Sequence, residues 1–180
     1  MSGRGLERLR GLLLEQGGLM ASLVDAGEAV GHRLAAAASP AIVAARGPRA
    51  AGRREEYELL VEAIYEGYLL HYASPRIVRT PEADLGLLAG DRLYAIGLER
   101  LVALGDTAAV AELADTITLS ALACGGGEAL LADAVWSAGA RAVGWGSSEA
   151  HRRAKDLAFA RAPGAIEAMR TSAEAVPQPG

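Results

Sequence analysis

The sequence predicts an all-α fold, a single-domain bundle of about six to eight helices. Alanine and leucine dominate the 180 residues, asparagine is absent and aromatic residues make up 4%, a composition that favours helix. Apolar residues recur at helical spacing along most of the chain, and no alternating run of strand length stands between turn signals. A chain of this length fits one domain. We place it at residues 1–172, followed by a mobile, proline-containing tail over 173–180.

Turn and capping residues divide the helical pattern into segments. Proline and glycine end helices before Pro40, before Pro75 and at 125–127. The residues suited to begin helices are Thr80 before Pro81, Asp106, and Ser147 or Ser148. The predicted helices span 6–16, 19–38, 53–72, 81–104, 107–123, 128–143, 149–161 and 163–169. A short turn over 41–45 and an extended segment over 76–79 complete the prediction.

Charge and cysteine content exclude several classes of protein. The formal net charge is −4, from Lys+Arg 18 against Asp+Glu 22, which is not the basic footprint of a general nucleic-acid binder. The single cysteine, Cys124, rules out an internal disulfide framework and a cysteine-rich zinc site. The longest uncharged stretches are shorter than the roughly 20 residues of a membrane span, and the first residues lack the apolar core of a signal peptide. We therefore expect a cytoplasmic protein with no membrane span.

Three glutamates recur every four residues on the third helix, at Glu58, Glu62 and Glu66. This spacing places them on one helix face. Such carboxylates can hold Mg²⁺ through oxygen ligands, with a diphosphate completing the coordination, so Glu62 and Glu66 are candidate metal or ligand residues. The alternative is a solvated polar face, which is the rule on amphipathic helices. Tyrosines on the apolar face are expected in the core or at a partner surface: Tyr65, Tyr68 and Tyr72.

Other chemical motifs give no site. His32, His71 and His151 lie in three different predicted helices, without metal-ligand spacing. We expect solvated or locally hydrogen-bonded rings, with His151 in a basic surface patch. The glycines at 125–127 lack the strand and the Lys-Ser/Thr pair of a phosphate-binding loop. No cofactor is predicted, except magnesium under the carboxylate hypothesis.

The segment LLAGDRLY at residues 87–94 resembles a helix signature of the trans-isoprenyl diphosphate synthases, a leucine-rich run that ends in AGD before an aromatic or aliphatic pair. The matching residues are Leu88, Ala89, Gly90, Asp91 and Tyr94. The following elements keep the order found in that family: LERL at 98–101, LGD at 104–106, a helical stretch at 110–117 and Gly-Glu at 127–128. The likeness covers residues 58–128, which is under half of the chain.

In that family an aspartate-rich DDxxD motif binds diphosphate through Mg²⁺, and an Arg-Arg pair follows it. An ungapped alignment, with Pro75 at the family's G-K/R-P-T turn, places EAIYE at 62–66 over the motif and His71-Tyr72 over the arginines. Acids remain at both ends of the motif, but the cations are replaced and no second aspartate-rich motif follows. Ionising an allylic diphosphate needs metals and cations to neutralise the leaving group. The resemblance therefore implies a chain that transfers no prenyl group by itself.

Within that family, the chain is most similar to the small subunit of heterodimeric bacterial hepta- and hexaprenyl diphosphate synthases. That subunit is helical, lacks the aspartate motifs and helps to set product length. We expect a non-catalytic, isoprenoid-synthase-like protein that acts by association with a catalytic synthase or by self-association. One alternative is a helical scaffold or oligomerisation module with no small-molecule site, packed tightly between its third and fourth helices. Another is a metal-dependent enzyme that uses Glu62 and Glu66 against a phosphorylated or diphosphorylated ligand.

Overall fold

A computed structural model describes residues 4–25 and 39–174 and consists almost entirely of helices. Within these residues there are nine α-helices and no strand. In chain order they are α1 (Arg4–Gln16), α2 (Gly18–Leu23), α3 (Pro40–Arg46), α4 (Arg54–Tyr72), α5 (Ala83–Ala103), α6 (Thr107–Gly125), α7 (Ala129–Trp145), α8 (Glu149–Phe159) and α9 (Ala165–Glu174). The predicted all-α bundle is confirmed.

Two central helices, α4 and α7, organise the packing. Helix α4 contacts α1, α3 and α5, whereas α7 contacts α3, α6 and α9. Leu60, Ile64 and Trp136 belong to the cluster that joins these two helices in the core. Separate apolar clusters fill the space under α1 and α5, around Leu93, and under α8 and α9, around Met169. Burial of these faces is the main favourable contribution to folding.

Glycines bring the backbones of α4 and α5 close together. A Cβ atom added to Gly67 would lie 2.9 Å from the carbonyl oxygen of Gly90, and one added to Gly97 would lie 2.8 Å from that of Leu60. Neither position has room for a side chain, because a backbone carbonyl cannot move as the end of a flexible side chain can. The third and fourth predicted helices are therefore packed against each other without a gap at these glycines.

The predicted helix over 19–38 is wrong at Val24 and Asp25, because α2 ends at Leu23. Val24 is extended and forms an isolated antiparallel bridge with Val78. The Asp25 amide donates to the carbonyl of Ile77, and the Arg79 amide donates to that of Leu23. Long-range pairing with the extended 76–79 segment therefore satisfies the backbone that a continued helix would have used. Residues 26–38 lie outside the described residues.

Two of the predicted caps are confirmed, and one helix start is wrong. The Asp106 side chain accepts a hydrogen bond from the Ala109 amide at the start of α6, and Ser148 accepts one from the His151 amide at the start of α8. Helix α5 begins at Ala83 rather than at 81, so Thr80 is not its N-cap. The short turn predicted over 41–45 is the helix α3.

The last helix extends beyond the predicted domain boundary at residue 172. Helix α9 ends at Glu174, and so it includes the first two residues of the predicted tail. Residues 175–180 lie outside the part of the chain that the structure describes.

Helix α6 is the one helix among the described residues that is long and apolar enough to cross a membrane. It nevertheless packs against α7, and its Glu112 is buried and bound to Lys155 of α8. These are features of a core helix in a folded protein, and no membrane span is plausible in the described part of the chain.

Candidate functional site

The glutamates of α4 lie inside the protein, so the expectation of a solvated polar face is wrong for two of them. Glu62 is 3% exposed and Glu66 is fully buried. Both carboxylates face Arg76, which lies in the segment after α4. Its Nη2 donates to Glu62 Oε2 at 2.6 Å, and its Nε donates to Glu66 Oε2 at 2.9 Å. A single guanidinium therefore bridges the two acids.

Backbone donors complete the environment of Glu66. Its Oε1 accepts from the amides of Arg76 at 2.6 Å and Ile77 at 2.8 Å, with the Val78 amide at 3.4 Å. A buried carboxylate is tolerated when hydrogen bonds replace its lost hydration. Glu66 thus fixes the extended segment that pairs with Val24.

Glu62 connects the same cluster to the start of α3. The Ser39 hydroxyl donates to Glu62 Oε1 at 2.8 Å, while its oxygen accepts from the Ala41 amide and caps α3. Burial lowers the pKa of Arg76, but the charges of Glu62 and Glu66 outweigh burial and raise that pKa overall. The guanidinium carbon also lies 5.1 Å from the centre of the Tyr65 ring, a favourable cation–π distance. Arg76 is therefore held as a permanent cation.

This arrangement limits what the two acids can do chemically. Each of the four carboxylate oxygens already accepts a hydrogen bond from this chain. Magnesium would have to displace Arg76 to bind them, because both need the same inward-facing oxygens. Among the described residues, no group of three or more His, Cys, Asp or Glu side chains is placed to hold a metal ion. The metal role of Glu62 and Glu66 stays a prediction.

The signature residues of α5 divide between its two faces. Ala89 and Gly90 are buried against α4, whereas Leu88 is 65% exposed. The Asp91 side chain is also exposed, with its Oδ1 3.2 Å from His71 Nε2. Tyr94 stacks on the His71 ring with a centroid distance of 5.3 Å. A Cβ added to Gly90 would lie 2.6 Å from His71 Nε2 and 3.1 Å from the Gly67 carbonyl oxygen, so a side chain here would displace the His71 ring.

Three of the four tyrosines of α4, Tyr65, Tyr68 and Tyr72, form an aromatic cluster with Trp136 of α7. Tyr65 and Tyr68 lie 4.8 Å and 5.2 Å from its ring centre, and Tyr72 follows at 5.6 Å from Tyr68. Burial raises the pKa of Tyr68, as does its hydroxyl contact with Cys124. Tyr68 is buried, whereas Tyr72 is 44% exposed. The structure thus brings these candidates together, with Tyr72 on the surface.

A second buried charged cluster was not predicted, and the expected basic surface patch around His151 is wrong. His151 is 3% exposed, and its Nε2 lies 3.0 Å from Glu112 Oε2. Lys155 donates to Glu112 at 2.9 Å and to Asp115 at 2.7 Å. The available signal was an acidic pair on α6, Glu112 and Asp115, and a basic pair on α8, His151 and Lys155, each at helical spacing. The spacing did not show that they meet.

Both ring nitrogens of His151 face a polar partner. Nε2 lies 3.0 Å from Glu112 Oε2, and Nδ1 lies 3.2 Å from the hydroxyl oxygen of Ser172. The Ser172 hydroxyl is buried and donates to the Met169 carbonyl at 2.8 Å. The His151 ring therefore connects α8 both to α6, through Glu112, and to α9, through Ser172.

Burial of Glu112 would raise its pKa, but hydrogen bonds from His151 and Lys155 outweigh burial and lower the pKa to about 2. The carboxylate is therefore strongly favoured in the folded protein. A cavity of about 190 Å³ adjoins it between α6 and the end of α7, and four alanines line it together with Arg49, Glu112, Gly146 and Ser147. This volume is below the roughly 300–1,000 Å³ of ordinary ligand pockets.

Comparison with protein-family models, with curated proteins and with solved structures finds no match to this chain.

Replacing Arg76 with methionine is expected to lower the free energy of unfolding by about 3–5 kcal/mol, because it leaves two buried carboxylates without their cation. Arg79→Met is the matched control: the Arg79 side chain is 57% exposed and pairs with Asp25, an ion pair worth about 0–1 kcal/mol. Urea unfolding monitored by circular dichroism measures the free energy of unfolding of both variants. Equal losses in the two variants would contradict the structural role of Arg76.

The lowered pKa of Glu112 predicts a specific acid sensitivity. Its folded pKa of about 2 lies below the reference value of 4.5, so its stabilisation is complete above pH 4.5 and is lost as the pH falls towards 2. The difference between these two pKa values corresponds to about 3 kcal/mol in the free energy of unfolding. Glu112→Gln should flatten the pH dependence of the unfolding free energy in this range. Glu149→Gln, on the exposed surface of α8, should leave it nearly unchanged in moderate salt. Parallel curves for Glu112→Gln and the wild type would refute the assignment.

Proposed function

We propose that this chain is a non-catalytic helical protein that acts by association. Its first candidate partner is a catalytic polyprenyl diphosphate synthase subunit, and a second copy of the chain is the other. The observation that carries the proposal is the state of Glu62 and Glu66, the acids aligned with the family's first metal motif. They are buried, and both are paired with Arg76 of the same chain.

Electrostatics supports a role without prenyl transfer. Expulsion of diphosphate requires cations placed where negative charge develops. Here the guanidinium of Arg76 is already paired with the two carboxylates of Glu62 and Glu66. Of the residues aligned with the arginine pair, His71 is largely buried beside Asp91 and stacks on Tyr94, and Tyr72 carries no charge. None of these groups presents a free cation to a diphosphate.

The exposed apolar residues support association. Leu87 and Leu88 on α5 and Tyr72 at the end of α4 are 46%, 65% and 44% exposed. Large apolar side chains grouped at one end of two neighbouring helices are typical of a surface that a partner covers. The synthase is preferred as that partner because these residues belong to the segment that resembles its family.

The scaffold alternative is favoured by a different observation, the close approach of α4 and α5 at Gly67 and Gly97. It agrees with the tight packing that this alternative predicts between those helices. The two proposals differ in whether a synthase binds and changes its product.

Co-expression with a catalytic prenyl synthase from the same source is expected to give a stable complex, with a product length different from that of the synthase alone. Leu88→Asn should weaken the complex, because it places an amide at the apolar contact. Leu130→Asn, at a 61% exposed position on α7, should not. Chains that purify separately, with the synthase fully active and its product length unchanged, would contradict the synthase proposal and leave the scaffold.

The metal-dependent alternative makes its own prediction in calorimetry. If Glu62 and Glu66 act as ligands, titration of Mg²⁺ or Mn²⁺ into the wild type gives a saturable heat that Glu62→Gln abolishes. The buried Arg76 pairing predicts instead that both proteins give the same weak, unsaturable signal. A strong wild-type signal lost in Glu62→Gln would overturn the non-catalytic proposal and establish a metal site.

A further inference from the structure

We propose that an exposed apolar patch at the start of α5 binds a basic amphipathic helix of another protein. This inference rests on the proposed function, because it names the chemistry of the partner at the surface that the proposed function assigns to association. The apolar part of the patch and the two acids that border it are Tyr72, Leu87, Leu88, Asp84 and Asp91. We name these five residues the α5 patch.

Helical spacing brings the four α5 residues of the patch together. Leu87 and Leu88 lie between Asp84 and Asp91, at intervals of three and four residues, so all four share one side of the helix. Leu87 and Leu88 are 46% and 65% exposed, and both acids are exposed as well. Exposed leucines grouped in this way are typical of a surface that a partner covers.

Contacts at the end of α4 join Tyr72 to this row. Asp91 Oδ1 lies 3.2 Å from His71 Nε2, and the centres of the His71 and Tyr72 rings are 5.7 Å apart. Tyr72 is 44% exposed. An exposed aromatic ring near a carboxylate suits a lysine or arginine side chain, since the ring face attracts the cation and the carboxylate pairs with it.

The charge at the start of α5 is negative. Residues 80–91 contain three acids, Glu82, Asp84 and Asp91, and no lysine or arginine. A partner that carries cations beside its apolar residues is therefore attracted to the α5 patch, whereas an acidic partner is repelled. An amphipathic helix with leucines on one face and arginines or lysines at its edges meets both requirements.

The nearest arginine in the sequence, Arg92, points away from Tyr72. Arg92 and Tyr94 are two residues apart, which separates them by about 200° around the helix. Tyr94 stacks on His71 of α4, so Arg92 lies on the other side of α5. The side of the patch that faces the end of α4 is therefore acidic.

The same charges disfavour a second copy of this chain as the occupant. A twofold contact uses the same surface on both copies, and it would bring Asp84 and Asp91 of one copy against the same acids of the other. A basic partner instead pairs with them.

Fluorescence anisotropy with two labelled helical peptides tests the proposal on the full-length protein. Both peptides carry leucines at intervals of three and four residues, and the remaining positions are mainly arginine in one and glutamate in the other. The arginine peptide should bind saturably, and the glutamate peptide at least about tenfold more weakly. Asp91→Lys should weaken binding of the arginine peptide at least about tenfold. Asp156→Lys, the same charge change at an exposed position of α8, should leave it nearly unchanged.

Tyr72 gives a second pair of matched variants. Tyr72→Phe keeps the aromatic ring and should bind the arginine peptide as the wild type does. Tyr72→Leu keeps an apolar side chain without the ring, so it should bind about two- to fivefold more weakly. Circular dichroism checks that every variant is folded.

Four results would overturn the proposal. They are equal binding of the two peptides, equal losses in Asp91→Lys and Asp156→Lys, equal binding by Tyr72→Phe and Tyr72→Leu, and a wild-type dimer that Leu88→Asn converts to monomer in analytical ultracentrifugation. The last result would show that a second copy covers the patch.

The proposed function and this inference fail in different ways. A complex with the synthase that Asp91→Lys leaves intact would remove this inference and keep the proposed function. Binding of the arginine peptide that Asp91→Lys weakens, without any complex with the synthase, would keep this inference and remove the synthase as the partner.

Discussion

The buried contact of Arg76 with Glu62 and Glu66 determines how the first half of the chain is organised. One guanidinium joins two carboxylates on α4, the same carboxylates hold Ser39 and the backbone of residues 76 and 77, and that backbone pairs with residues 23–25. Removal of the cation would leave two charges in an environment that solvates them poorly, whereas its presence fixes three separate segments to one helix. The contact therefore stabilises the fold, and it also occupies the carboxylate oxygens that a metal ion would need.

The second half of the chain uses the same physical solution with different residues. Glu112 and Asp115 on α6 share Lys155 of α8, and Glu112 also contacts the ring of His151 on α8. In both clusters a pair of acids on one helix shares a cation from a later segment. Charged residues thus specify which segments pack together in a protein whose apolar residues are mostly alanine and leucine, with few distinctive shapes.

Local signals predicted the helices well because they act within a few residues. The side chains of Asp106 and Ser148 cap their own helices, and the periodicity that predicted a helix over 53–72 matches α4 within one residue. The errors involve distant partners. Helical spacing showed that Glu62 and Glu66 share a face, but only the position of Arg76 determines that this face is buried. Val24 leaves the helix to pair with Val78, more than fifty residues away, and the environment of His151 depends on α6 and α9. The resemblance of the α5 segment to the prenyl synthases stays a prediction, since sequence motifs alone do not report activity.

The same electrostatics underlies the proposed function, because acids already paired with an internal cation do not assemble the metals that ionise a diphosphate. The most direct measurement is a turnover assay of the isolated, homogeneous protein, supplied with an allylic diphosphate, isopentenyl diphosphate and Mg²⁺. If the chain is non-catalytic, the assay gives no prenylated product and no released pyrophosphate above the protein-free background. Product formation that scales with the concentration of this chain would contradict it.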